Sequence, residues 1–133
     1  MEYDLDFMLE FSNEQGLKAR RASEKEISIQ LQDGILLSFY NSGTEDGCMM
    51  GFPDMAWHVH DNIMFSRKDG HYIELDYLEV IEGLAKRKVL IMEELKAGKV
   101  VERSLVHAEY FDECWEMQND EEFRVKPAMV NNT

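Results

Sequence analysis

Residues 27–40 read Ile-Ser-Ile-Gln-Leu-Gln-Asp-Gly-Ile-Leu-Leu-Ser-Phe-Tyr. Ile27, Ile29 and Leu31 alternate with Ser28, Gln30 and Gln32, the period-two pattern of a strand with one buried and one wet face. Asp33-Gly34 follows, a dipeptide that tolerates positive φ at both centres of a type I′ turn, and residues 35–40 resume the apolar run. The stretch predicts an antiparallel hairpin.

Working outward, residues 3–11 are rich in aromatic and aliphatic side chains and read as a first strand, with a short helix as the alternative. Residues 12–16 carry turn chemistry. Residues 17–26 are a basic-then-acidic surface stretch holding Lys18, Arg20 and Arg21. Beyond the hairpin comes a Gly-containing loop over 41–47, an apolar stretch over 48–52, and a break at Pro53-Asp54. Residues 62–66 and 71–73 read as short strands around a Lys68-Asp69-Gly70 turn.

Residues 76–86 form the clearest helix. Tyr77, Val80, Ile81 and Leu84 make an apolar stripe, Asp76 is an N-cap with Glu79 completing a capping box, and Glu82 pairs with Lys86 at i,i+4. A second hairpin is expected from residues 88–95 and 100–107 around Ala97-Gly98. A helix over 109–118 would turn Phe111, Cys114, Trp115 and Gln118 inward, and a last short strand runs over 123–126 to Pro127. The expected architecture is α+β: one mostly antiparallel sheet of about five to seven strands with two helices packed on one face. Residues 1–127 are expected to form one domain and 128–133 a flexible tail.

The 133 residues include 44% hydrophobic side chains, which argues against wholesale disorder, and carry a formal charge of −13. That charge disfavours nucleic acid and anionic membrane surfaces as direct ligands, because phosphate binding needs Lys and Arg. It favours basic proteins, whose encounter a negative field accelerates. The first residues lack the basic and apolar regions of a signal peptide, and no stretch is long enough for a membrane span. Cys48 and Cys114 form no CxxC pair and read as reduced thiols in a cytoplasmic protein.

Two patterns could carry function. Glu109, Asp112, Glu113, Glu116, Asp120, Glu121 and Glu122 occur with no Lys or Arg among them. On a helix the first four would share one face at i, i+3, i+4 and i+7, where like charges repel. Such a stripe suits a cationic partner; a solvated helix face is the other reading. His58-Val59-His60 would place both imidazoles on one face of a strand, where they could meet a zinc ion with help from Asp61, His71, His107 or Cys48. Zinc sites need three or four donors, and spacing supplies only two. Met49, Met50, Met55 and Phe52 could form an adaptable binding surface or fill the core. No Gly-rich phosphate loop and no GxSxG elbow is present in the sequence, so no catalytic machine is legible.

In size, charge and its carboxylate-rich segment, the chain resembles the small acidic immunity proteins that neutralise bacterial polymorphic or contact-dependent toxins. The resemblance implies one-to-one capture and inhibition of a basic partner, often a nuclease toxin domain, by a non-enzymatic binding module. Glu109, Asp112, Glu113 and Glu116 would pair with partner Lys or Arg, and residues 120–122 would extend that surface. Two rival classes stand beside it: a small zinc-binding protein or metal-dependent enzyme built on His58 and His60, and a homo-oligomeric adaptor subunit.

Overall fold

The computed structural model describes residues 2–44, 47–111 and 121–129. The class is α+β, as expected, with every strand pair antiparallel. The strands divide over three sheets rather than one. The largest is the five-stranded sheet β1 (Lys18–Ser23), β2 (Glu26–Gln30), β3 (Leu36–Asn41), β4 (Cys48–Gly51) and β5 (His58–Val59), paired in chain order. A two-stranded ribbon joins β6 (Ile63–Ser66) to β7 (Tyr72–Leu75). A three-stranded sheet places β8 (Val89–Lys96) between β9 (Lys99–His107) and β10 (Glu121–Pro127). The division has local causes. β5 is only two residues long, Asp61 turns the chain at φ 58°, and a helix intervenes between β7 and β8.

The central hairpin forms as its sequence dictates. Asp33 and Gly34 sit at φ 60° and 72°, Ile35 N donates to Gln32 O, and Ile29 faces Leu37 across the pair. Ala97 and Gly98 repeat this chemistry between β8 and β9, at φ 52° and 80°. Helix α2 (Tyr77–Ala85) begins at Asp76 with both halves of the capping box made, and Lys86 pairs with Glu82.

Two expectations are corrected. Residues 3–11 do not form a strand: helix α1 (Leu5–Glu14) starts there, capped by the Asp4 carboxylate, which accepts from Phe7 N. Leu5, Met8 and Ser12, spaced by three and four, form its buried face. Residues 108–110 are bends after β9, so Glu109 does not open a helix; residues 112–120 lie outside the described residues. The basic stretch after Gly16 is an edge strand, β1, whose free backbone is taken by α1: Asn13 Oδ1 accepts from Ala19 N while Asn13 Nδ2 donates to Ala19 O.

The core gathers Leu5 and Met8 from α1, Ile27, Ile29, Leu37, Phe39 and Met50 from the large sheet, Val80, Ile81 and Leu84 from α2, and Val89 and Ile91 from β8. Gly83 lets α2 meet β8, since a Cβ there would lie 2.5 Å from Val89 Cγ2. The chain stays packed past Pro127: Ala128 is fully buried, and its carbonyl accepts from Gln32 N at 2.8 Å.

One charged group is buried with this core. Glu93 on β8 is 2% exposed and faces three cations. Arg103 donates from Nε at 3.1 Å, Arg124 from Nη2 at 2.9 Å, and Lys126 Nζ lies 2.9 Å away. Two of these reach on to the large sheet's connections: Lys126 to Asp33 at 2.9 Å, and Arg103 to both oxygens of Asp54 at 2.9 and 3.0 Å. Burial alone would raise the Glu93 pKa, but the hydrogen bonds from Lys126, Arg124 and Arg103 outweigh it and hold the carboxyl at about 2, below its ordinary 4.5. The unfolded chain therefore binds this proton first. The stability Glu93 contributes is complete above pH 4.5 and lost as pH falls towards 2. Replacing Glu93 by Gln should cost about 3–5 kcal/mol near neutral pH, because three cations lose their buried anion. Denaturant unfolding from pH 7 to pH 2 should show the wild-type and Glu93→Gln curves converging in acid; parallel curves would assign the acid sensitivity to other carboxylates.

Candidate functional site

Two cavities differ in how their polar groups are satisfied. The first, about 380 Å³, lies between β7, α2 and the end of β9. Its charges are matched internally. Lys86 pairs with Glu82, Lys88 stands 3.8 Å from Glu109, and Glu79 spends a carboxylate oxygen on Asp76 N. His107 also lines it, packed against Phe65 and Tyr110 at ring distances of 5.6 and 5.3 Å. Its Nδ1 accepts from Glu109 N, and burial, helped by Lys88 and opposed by Glu109, lowers its pKa. The ring is thus held neutral with its proton on Nε2.

The second cavity, about 290 Å³, opens on the outer face of the large sheet. Its walls are Tyr40 and Met49 on β3 and β4, with Phe52, Pro53, Met55 and Trp57 folding over from the segment between β4 and β5. The Phe52 and Trp57 rings lie 5.8 Å apart, and Met55 N donates to Phe52 O at 3.0 Å, closing a turn that aims this segment. The Arg103 guanidinium lies over the Phe52 ring, 5.5 Å from its centre. The buried Glu93 cluster therefore reaches the cleft wall through one arginine.

Two polar groups of this cleft lack partners among the described residues. Glu26 has no cation within ion-pair distance. Ser38 is 8% exposed and its Oγ makes no hydrogen bond. The cleft therefore combines polarizable and aromatic walls with one uncompensated carboxylate and one spare hydroxyl. Such a site suits the stem and charge of a Lys or Arg side chain, by apolar contact, cation–π attraction and a charge-assisted hydrogen bond.

The residues singled out from sequence distribute as follows. Glu109 lines the compensated first cavity. Glu122 is exposed on β10 opposite Leu95, and Glu121 pairs with Lys96 in the same ladder. Asp112, Glu113, Glu116 and Asp120 lie outside the described residues, as do Cys114 and Trp115. His58 and His60 do approach, with ring centres 5.2 Å apart, although β5 ends at Val59. Each imidazole directs Nδ1 at a backbone carbonyl, Ala56 O at 2.9 Å and Cys48 O at 3.1 Å. Cys48 is buried and its Sγ donates to Asp61 Oδ1; burial and this contact raise the thiol pKa. His107 belongs to the other cavity, and no group of three or more His, Cys, Asp or Glu side chains is placed to hold a metal among the described residues.

The methionine set divides: Met50 is buried in the core, Met49 and Met55 line the cleft, and the buried Phe52 does both. Sequence reading missed Glu26, Ser38 and Tyr40. Their alternation on β2 and β3 placed them on the wet face, but nothing local showed that a later segment folds over them. Comparison with known proteins finds no matching family, no similar curated protein and no similar solved structure. The chemistry of the two cavities therefore carries the functional reading.

Gly51 makes the cleft possible, because a Cβ there would lie 2.9 Å from Trp57 O and 3.0 Å from His58 Cβ. Substituting Gly51→Ala should push the 52–58 segment outward and cost about 1–3 kcal/mol. Thermal melts give the stability loss, and a shifted Trp57 emission spectrum, recorded in a Trp115→Phe background, reports the moved wall. An unchanged melt and spectrum would show that the segment does not depend on this contact.

Proposed function

We propose that this chain is an acidic binding module that captures a basic protein partner and blocks it, in the manner of toxin-immunity proteins. The observation that carries the reading is the Trp57–Tyr40 cleft, an anchoring pocket whose one carboxylate, Glu26, has no ion-pair partner among the described residues. Binding energy concentrates where a charged or aromatic side chain fills such a pocket. The charge of −13 adds a long-range field that speeds encounter with cations and turns anions away. The carboxylates of 109–122 contribute to that field, and Glu113 and Glu116 remain candidates for direct contact. No helix among the described residues is long and apolar enough to cross a membrane.

Capture from native lysate at low salt, followed by elution with rising salt, tests the reading. Wild-type protein should release one basic protein in stoichiometric amount. Trp57→Ala and Glu26→Gln should each bind that protein roughly 10- to 30-fold more weakly, the loss expected for an interface anchor. Equal retention by wild type and both variants would remove the cleft from the interface. Retention of no basic protein would refute the capture function.

A further inference from the structure

A row of side chains crosses the outer face of the large sheet from edge to edge. Strand registers place Arg20 opposite Ser28, Ser28 opposite Ser38, Ser38 opposite Gly51 and Gly51 opposite His58. The three central members are small, while Leu36 and Tyr40, on the same face two residues either side of Ser38, are large. The row is therefore the floor of a trough. The cleft described above spans β2 to β5, with Glu26 contributed by β2. At the β1–β2 end a second hollow, about 90 Å³, is lined by Lys18, Arg20, Ser28, Gln30 and Leu36. Because Ser28 and Ser38 face one another on neighbouring strands, the two hollows adjoin.

The two ends carry opposite charge. Lys18 and Arg20 are exposed, and neither has an ion-pair partner among the described residues, whereas the neighbouring Arg21 is paired with Asp6 at 2.6 Å. Two uncompensated cations on one strand stand out in a chain of net charge −13. Between the ends, the unpartnered Ser38 Oγ lies buried in the floor. A hydroxyl so placed costs about 1–3 kcal/mol while nothing hydrogen-bonds to it.

We infer that the trough receives an extended peptide segment of the partner, bearing a basic side chain in the Glu26 cleft and a carboxylate at Lys18 and Arg20. The inference rests on the capture reading and adds the chemistry of the captured segment. Glu26 lies on β2 and the two cations on neighbouring β1, where Arg20 faces Ser28 and Lys18 faces Gln30, so with strands about 4.8 Å apart and about 3.3 Å per residue the charges are separated by roughly 8–14 Å. An extended chain advances about 3.3 Å per residue, which sets the basic and acidic positions about two to four residues apart. The sign of the second contact is diagnostic. The overall negative field repels any added carboxylate, so only a local cationic subsite makes an acidic residue favourable.

Isothermal titration calorimetry with two peptides tests this: acetyl-Ser-Lys-Ser-Ser-Ser-Asp-Ser-amide and its counterpart with Asn in place of Asp. The Lys–Asp peptide should bind roughly tenfold more tightly than the Lys–Asn peptide, the gain of one charge-assisted contact. The double variant Lys18→Ala/Arg20→Ala should erase that difference and leave the Lys–Asn affinity as in wild type. Equal or weaker binding of the Lys–Asp peptide to wild type would overturn the trough assignment and leave the capture reading standing. Binding of neither peptide would remove the cleft as a cation site, and the trough with it. Peptide binding that disappears as the protein dimerises with rising concentration would give the trough to a second copy and also overturn the assignment.

Discussion

Glu93 is a carboxylate buried in the interior, and the mutual arrangement of the sheets depends on how its charge is met. Taking a carboxylate out of water is unfavourable by several kcal/mol unless cations and hydrogen bonds replace the solvent. Here Arg103 comes from β9, and Arg124 and Lys126 come from β10. The anion thus requires all three strands of its sheet in register. Lys126 and Arg103 extend the requirement to Asp33 and Asp54, on the connections of the large sheet. Hydrophobic burial is non-directional and would tolerate many relative placements of two sheets. A chain of charge-assisted hydrogen bonds does not, because each has a short distance range and a preferred angle.

The same cluster reaches the candidate site. Arg103 hydrogen-bonds Glu93 and Asp54 through its guanidinium N–H groups and lies over the Phe52 ring. Phe52 and Asp54 belong to the segment that folds over the outer face of the large sheet to make the cleft wall. The buried charge cluster and the cleft wall are therefore joined through one arginine, which ties an irregular segment to the three-stranded sheet. Preorganisation of that kind lowers the ordering cost of binding, which is where most of the affinity of small interfaces is lost.

Much of the local fold was legible in the sequence, because turn chemistry and period fixed it. Asp33-Gly34, Ala97-Gly98 and the Asp76–Glu79 box each produced the element they predicted. The N-terminal run misled because Tyr3, Leu5, Phe7, Met8, Leu9 and Phe11 satisfy a two-residue and a 3.6-residue period almost equally. The Asp4 cap and burial of Leu5, Met8 and Ser12 resolved that ambiguity in favour of a helix. Glu93 was hidden for a related reason: Val89, Ile91 and Leu95 alternate with Leu90 and Met92, so both faces of β8 look apolar and neither marks the acid as interior. Met49 and Met55 were visible as candidates for an adaptable surface. Glu26, Ser38 and Tyr40 were not, since a cleft made by folding residues 52–57 over strands that precede them has no local signature. The acidic run over 109–122 stood out by its charge and by the i, i+3, i+4, i+7 spacing of its first four carboxylates, and Glu109 at its start proves to lie beside Lys88.

Asn13 gives the molecule a property of a different kind. An exposed sheet edge offers unpaired N–H and C=O groups to any passing strand, and natural sheets guard such edges. At Ala19 both backbone groups of β1 are occupied by one side-chain amide, which presents a donor and an acceptor as a peptide group would. The carboxamide is in effect a one-residue strand, closing the ladder at the position where another chain would begin to zip. The five-stranded sheet can thus leave its broad face uncovered while, at Ala19, its first edge offers no free backbone group to an added strand.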